Sequence, residues 1–466
     1  MKTKHNKARR AVSLILVLLL LLSIFSCSAP SSAVMDSKEE ITAKMNEDLA
    51  APDRLQYTYA IDYLARWGFC GYDDAKIKWV EQIMGAYYNY EDGLPDTREH
   101  ARLCATDFLE NYYDNVDKED KSELTDAILT CYASAVADPY TIYRPVAEND
   151  SYNTDLSGKF GGIGVVVEYN HSDKSLMISS VYIDSPAEKA GMKVGDYIVG
   201  VGGVSIDEIG YLNAVDYIRG EIGTEVRLTL KRGDASVECT AIRGEVVEKT
   251  VAYQIIDDIG YIRITSIKGN TYEQFVEAIN AVEKSGARGV IFDLRSNPGG
   301  YMDVVCDMVS YLVPSGHDIV SYAYKGRRTT VIKSTDDKDP TTGKVKDHVF
   351  DLPITVICNE YTASAGEIFT SAIRDFRDMG VIKQATIVGK TTYKKGIMQT
   401  GFGYNDGSSI TLTVAYYKPP CGINYHGIGV SPDVEVDYSE TEDTQLKVAL
   451  EELEKLIFAN TSLQNQ

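Results

Sequence analysis

Histidine, paired cysteines and net positive charge are all scarce in this chain, and each shortage closes off a class of function. Six histidines occur in 466 residues. Of these, His100, His171, His317 and His348 sit in unremarkable contexts, and only His426, in Tyr425-His426-Gly427, lies near glycine-rich turns. A Ser-His-Asp triad therefore has little to draw on. The eight cysteines are scattered, with no CxxC pair and no His/Cys ligand spacing, which argues against a structural zinc. Seven of them follow Cys27, an odd number that needs no disulfide framework, and they read as small buried hydrophobes. A Cys70–Cys104 bridge stays open. Lysine and arginine number 47 against 68 aspartates and glutamates, a net charge of −21, which excludes nucleic acid and anionic lipid headgroups as partners. No P-loop, no SxxK and no repeat of fixed period is present, and no metal or cofactor is called for.

What is present begins with an address. Lys2, Lys4, Lys7, Arg9 and Arg10 precede an apolar run from Ala11 to Phe25, followed by small residues, the layout of a secretory leader over residues 1–35. Ile24-Phe25-Ser26-Cys27 resembles a bacterial lipoprotein processing site with Cys27 as the lipidated residue. Cleavage after Ala33 and an uncleaved signal anchor remain alternatives, although the run is short for a span of ~20 residues. The expectation is an exported protein of the cell envelope or exterior, tethered to the membrane.

Residues 36–150 carry helical spacing: Leu55 to Trp67, Ile77 to Tyr88, Arg102 to Tyr112 and Ser122 to Ala137, the last stopped by Asp138-Pro139. This region reads either as a helical cap on the main body or as an arm for dimerisation or tethering. Residues 151–245 change to glycine-punctuated short strands with two helices, a pattern resembling a PDZ domain in its permuted bacterial arrangement. The loop Gly162-Ile163-Gly164 before a strand could present backbone N–H groups to a terminal carboxylate, and the strand edge could accept an extended peptide. Residues 246–440 alternate strands and helices, as in an α/β layer structure, with a polar surface excursion at Lys333–Lys346. Residues 441–466 supply a closing amphipathic helix and tail. The fold class is thus α+β and multidomain.

The chemistry concentrates in two segments. Asn359 to Glu367 places Ser364 among small residues between a hydrophobic strand and a helix, where helix-terminal N–H groups face developing negative charge. Thr392 to Gln399 offers Lys395 as a base and Gln399 to orient it, with Gly396 as the bend that brings them together. Lys395 must be uncharged to take the serine proton, and burial can lower a lysine pKa from its reference of ~10.4 by several units. Asp293-Leu294-Arg295-Ser296-Asn297-Pro298-Gly299-Gly300 ends a strand in a turn whose amides can supply a second oxyanion donor.

Together with Asp138-Pro139-Tyr140-Thr141, Ser185-Pro186-Ala187, Gly195-Asp196 and Gly427 to Asp433, these segments resemble the carboxy-terminal processing proteases, PDZ-containing serine peptidases, from about Leu124 to Val436. The resemblance implies a crotonase-like α/β core and serine endopeptidase activity on unstructured protein segments near their C-termini. It implies Ser364 as nucleophile, Lys395 as base and Gln399 as its orienter, with Ala365 and an amide of Gly299 or Gly300 as the oxyanion hole. Glu367 and Asp375 would support the site. The PDZ domain would capture apolar C-terminal tails and deliver them or gate the site, and the terminal helices could form a homodimer. Lys394 stands where the family usually has glycine, so it is a rival base. The 30 residues between Ser364 and Lys395 are more than usual, with the excess around Asp375–Lys383, and residues 36–110 have no counterpart. An inactive peptide-binding scaffold and thioester chemistry on a related frame are the alternatives.

Overall fold

A computed structural model describes residues 37–464 apart from 51–59, 70, 92, 171–173, 183 and 337–349. The leader with Cys27, as well as Cys70 and most of the polar excursion, lie outside the described residues. The chain forms two compact units, residues 1–145 with 399–413, and residues 146–398 with 414–466.

In the first unit, helices Asp74–Tyr87, Thr97–Asn111 and Lys121–Ser134 each start at an aspartate. Asp73, Asp96 and Asp120 each accept two amides of the first turn, which satisfies donors the helix itself cannot. With Ala60–Arg66 they bury Tyr63, Leu64, Trp67, Ile77 and Phe108. Strand Ile142–Arg144 pairs antiparallel with Ser409–Thr411. Lys76, almost wholly buried, bonds Asp126 Oδ1 and Asp406 Oδ2, both at 2.8 Å. The sequence reading put residues 399–413 in the peptidase core. This strand pairing and the Lys76 ion pairs join them to the helices of the first unit.

Glu81 in this unit accepts the Ile61 amide on one oxygen, and burial raises its carboxyl to about 7. An acid whose folded pKa lies above its unfolded value gives stability that is complete at low pH and is lost as pH rises toward the folded value. Glu81→Gln is therefore expected to stabilise this unit by ~2 kcal/mol at pH 8 and to flatten its stability between about pH 4.5 and 7. Tryptophan fluorescence during unfolding checks this, because Trp67 and Trp79, the chain's two tryptophans, both belong to this unit.

The second unit has two layered parts. Strands Val165–Asn170, Ser175–Val181, Tyr197–Val201, Glu225–Arg232 and Ala235–Ile242 form one sheet in that order, with Val165–Asn170 at an edge. Leu176, Ile178, Ile198, Leu228 and Leu230 bury one face of it under Ala214 and Ile218 of helix Tyr211–Ile218. Ile163 lies in the loop between strands Lys159–Gly162 and Val165–Asn170 with its side chain buried, and its carbonyl accepts the Ala187 amide. Gly164 has φ 76° and backs onto Ser185, where a β-carbon would meet that of Ser185 at 2.5 Å. So the Gly162–Gly164 segment is a tight entry into the edge strand.

The larger part is a six-stranded sheet in the order Val251–Ile256, Ile259–Ile264, Gly289–Asp293, Ile354–Cys358, Ala385–Gly389, Val434–Glu435. All neighbours after the first pair are parallel. Helices Thr271–Lys284, Met302–Ser310 and Ala365–Asp378 cover one face. The terminal helix Thr444–Gln464 covers the other, setting Ala449, Leu453 and Ile457 on Ile259, Ile291, Ile357 and Val388. Cover on both faces explains why Gly289–Asp293 and Ile354–Cys358 are buried at every residue and read as unbroken apolar runs.

Candidate active site

Three adjacent parallel strands end on the same edge, and each is followed by one segment singled out in the sequence. Asp293 leads into the turn 294–300, Cys358 into the loop before Ser364, and Gly389 into the loop carrying Lys395. The carboxyl ends of parallel strands are where open α/β sheets place their sites.

Ser364 opens helix Ala365–Asp378 with φ 53° and ψ −118°, not the extended backbone of an ordinary cap. Strain of this kind in a non-glycine residue persists only where the surroundings impose it. The imposing group is Glu367, fully buried. Its Oε2 accepts the amides of Ser364 (2.9 Å) and Lys395 (2.8 Å), and its Oε1 accepts the Lys394 amide (2.8 Å) and the Thr392 hydroxyl (2.6 Å). One carboxylate thus holds the Ser364 loop and the lysine loop against each other.

The turn 294–300 is fixed as closely. Asn297, buried, donates to the Ile264 carbonyl at 2.9 Å, accepts the Gly299 amide at 2.8 Å, and takes the Ala363 amide on its own carbonyl at 2.8 Å. Gly299 has φ 95°, and a β-carbon there would lie 2.8 Å from Ser364 Cβ and from the Ala365 nitrogen. Because Asn297 uses the Gly299 amide, Gly300 is the turn residue left to donate. The Gly300 and Ala365 amides have no acceptor among the described residues.

Lys394 is exposed at φ 87°, whereas Lys395 is partly buried. The Lys395 carbonyl accepts the Tyr417 hydroxyl at 2.7 Å, and Tyr417 meets Tyr425 at 2.8 Å. Burial pushes both phenols far above their ordinary range, so they stay neutral donors. Asn424 donates to the Gly396 carbonyl at 2.6 Å and His426 Nδ1 receives the Gly396 amide at 3.3 Å. Gly396 is required there, since a β-carbon would meet the His426 nitrogen at 2.7 Å. The Gly427 amide bonds the Lys394 carbonyl and the Val430 amide bonds Thr392 Oγ1, which gives Gly427–Asp433 its part: it props the lysine loop. Gln399 belongs to the other unit, where its amide donates to Thr413 Oγ1 at 3.2 Å.

Asp375 lies eleven residues along the helix from Ser364, ~16 Å at 1.5 Å per residue. It bonds Arg374 and the Cys421 amide, so its support reaches the site only through the 418–425 loop. Asp293, fully buried, accepts Tyr261, Arg263 and Arg295. Burial alone would raise its carboxyl, but Arg295 and Arg263 outweigh that and hold it below the usual carboxylate range. Sequence reasoning missed the parts of Tyr417, Asn424 and Arg263, and none carries a local signal. Among the described residues no cluster of His, Cys, Asp and Glu could hold a metal ion.

The sequence profile of Peptidase family S41 matches residues 258–436, and that of a PDZ domain matches 177–232. A relative named "Probable CtpA-like serine protease" from Staphylococcus haemolyticus is 35% identical over 357 residues, 77% of this chain and 69% of that protein. The chain belongs to peptidase family S41. The carboxy-terminal processing protease CtpA of Bacillus subtilis is 34% identical across 70% of this chain and 66% of its own length. Among solved structures, a photosystem II D1 C-terminal processing protease aligns at 24% identity and TM-score 0.43, covering 80% of this chain and 94% of that one. The chain is thus a serine-type peptidase of family S41 that carries a PDZ domain, with a helical region ahead of both.

Proposed function

We propose that this S41 protease is an exported endopeptidase in which Ser364 attacks the peptide carbonyl and Lys395, as a neutral amine, takes the hydroxyl proton. The amine then returns that proton to the leaving peptide nitrogen, and water attacks the resulting ester by the same route. Ala365 and Gly300 amides hold the oxyanion. The observation that carries this reading is the single Glu367 oxygen shared by the Ser364 and Lys395 amides. Lys395 is preferred over Lys394 because it is the less exposed of the two, and an uncharged amine needs shelter from water.

The PDZ part captures apolar C-terminal tails. Its edge strand Val165–Asn170 starts at the Gly162–Gly164 entry and supports strand addition. Gating by this domain is supported by one short segment. Asn270 donates to the carbonyls of Gly158 and Glu248, at the entry and exit of the PDZ part, while Ile267 pairs with the turn at Gly299 and Tyr301. Tethering through Cys27 is part of the proposal. So is a homodimer through the terminal helices, where Leu49 and Phe458 are exposed.

The test is a digest of denatured proteins by the full chain, with new termini read by mass spectrometry. Cleavage in unfolded segments near C-termini, slowed when the tail is amidated, is expected. Absence of cleavage with tail binding retained would leave a peptide-binding scaffold.

A further inference from the structure

The turn 294–300 holds three residues at positive φ, the non-glycine Ser296 at 60° besides Gly299 at 95° and Gly300 at 146°, and Asn297 holds it from within. Arg295 is the side chain that reaches out. Its side chain is 13% exposed, and the guanidinium bonds two carboxylates at once. Nε and Nη2 go to Asp293 at 3.0 and 2.6 Å, and Nη1 and Nη2 go to Asp443 at 2.7 and 2.8 Å. The Arg295 carbonyl is held from the other side by Arg263 Nη2 at 3.0 Å. Asp443 is not a loose partner. Its Oδ1 accepts the Leu446 amide at 3.0 Å in the first turn of the terminal helix, and that helix is packed on the sheet through Ala449, Leu453 and Ile457. A rigid element with no part in the chemistry therefore grips the second residue of the turn 294–300 through a forked, charge-assisted contact.

We propose that Arg295 and Asp443 are positioning residues, which set the Gly300 amide by anchoring its turn to the terminal helix. The inference rests on the reading of Gly300 as an oxyanion donor. A purely structural role predicts loss of stability, whereas positioning predicts loss of turnover in a protein that stays folded.

The discriminating variant is Asp443→Asn in the full chain. Asparagine caps a helix as well as aspartate does, so the terminal helix is kept while the charged fork is lost. Turnover number should fall by about ten- to a hundredfold, as expected for a donor misplaced by a fraction of an ångström to an ångström. KM should stay within about twofold, and the melting temperature within about 2 °C. Amide exchange at 296–301 should speed up without change in the helix Ala365–Asp378. Asp443→Glu should restore part of the rate, and Lys455→Gln, on the exposed face of the same helix, should alter nothing. Unchanged turnover in Asp443→Asn, or a melting temperature that falls in step with activity, overturns the proposal. If the unaltered protein cleaves nothing, the peptidase reading fails separately, and amide exchange decides the anchoring: unchanged exchange at 296–301 overturns it.

Discussion

Ser364→Ala is expected to remove peptide cleavage by a factor of ~10⁴ or more while leaving the fold intact. The loss is large because the nucleophile and its base act as a unit rather than additively. The fold should survive because what holds this strained residue is its backbone. The Ser364 amide bonds Glu367 at 2.9 Å and its carbonyl accepts the Glu367 and Ile368 amides at 2.8 and 3.0 Å, none of which needs the hydroxyl. Alanine at φ 53° carries the same steric cost as serine, so melting should shift little. Comparing degradation of an unfolded protein by the two chains, alongside their thermal unfolding, checks both halves.

Glu367→Ala should be the most damaging change that touches no reacting atom. Removing the carboxylate strands three backbone amides and a threonine hydroxyl around a fully buried position. Each orphaned donor costs ~1–3 kcal/mol, so the loss is expected to reach ~4 kcal/mol or more, and activity should vanish with it. Glu367→Gln separates the two effects. The amide carbonyl can still serve Ser364 and Lys395, and the NH₂ can donate to Thr392, which leaves the Lys394 amide alone facing a donor. Its stability should fall by ~2 kcal/mol, with turnover reduced but measurable. Denaturant unfolding and steady-state kinetics of both variants give the comparison.

The difference between what could be read in advance and what could not follows from range. Ser364 and the turn 294–300 were legible because each is a local event, a buried strand running into a glycine turn or a helix start. The PDZ part was legible from its short strands and glycine spacing for the same reason. The role of Glu367 was only partly visible. Its place three residues into the helix suggests a cap, but nothing local says that its second oxygen collects the Thr392 and Lys394 donors from a loop 25 residues away. The bonds of 399–413 to the helices were not legible, because the pairing with Ile142–Arg144 and the bond from Lys76 to Asp406 across 330 positions are set by tertiary contact. The terminal helix looked idle for a similar reason. Its amphipathic stripe announces packing, but Asp443 meets Arg295 from 148 positions away. Gly299 shows the limit even inside a recognised motif, since only the folded turn reveals that its amide is taken by Asn297.

The most direct test of a serine activated by a sheltered lysine is covalent labelling with a fluorophosphonate, followed by mass spectrometry of the adduct. A single adduct on Ser364 is predicted, formed more than ~100-fold more slowly in Lys395→Met and at nearly the normal rate in Lys394→Met. An adduct on any other residue, or a Lys395→Met protein labelled as fast as the unaltered chain, would contradict it.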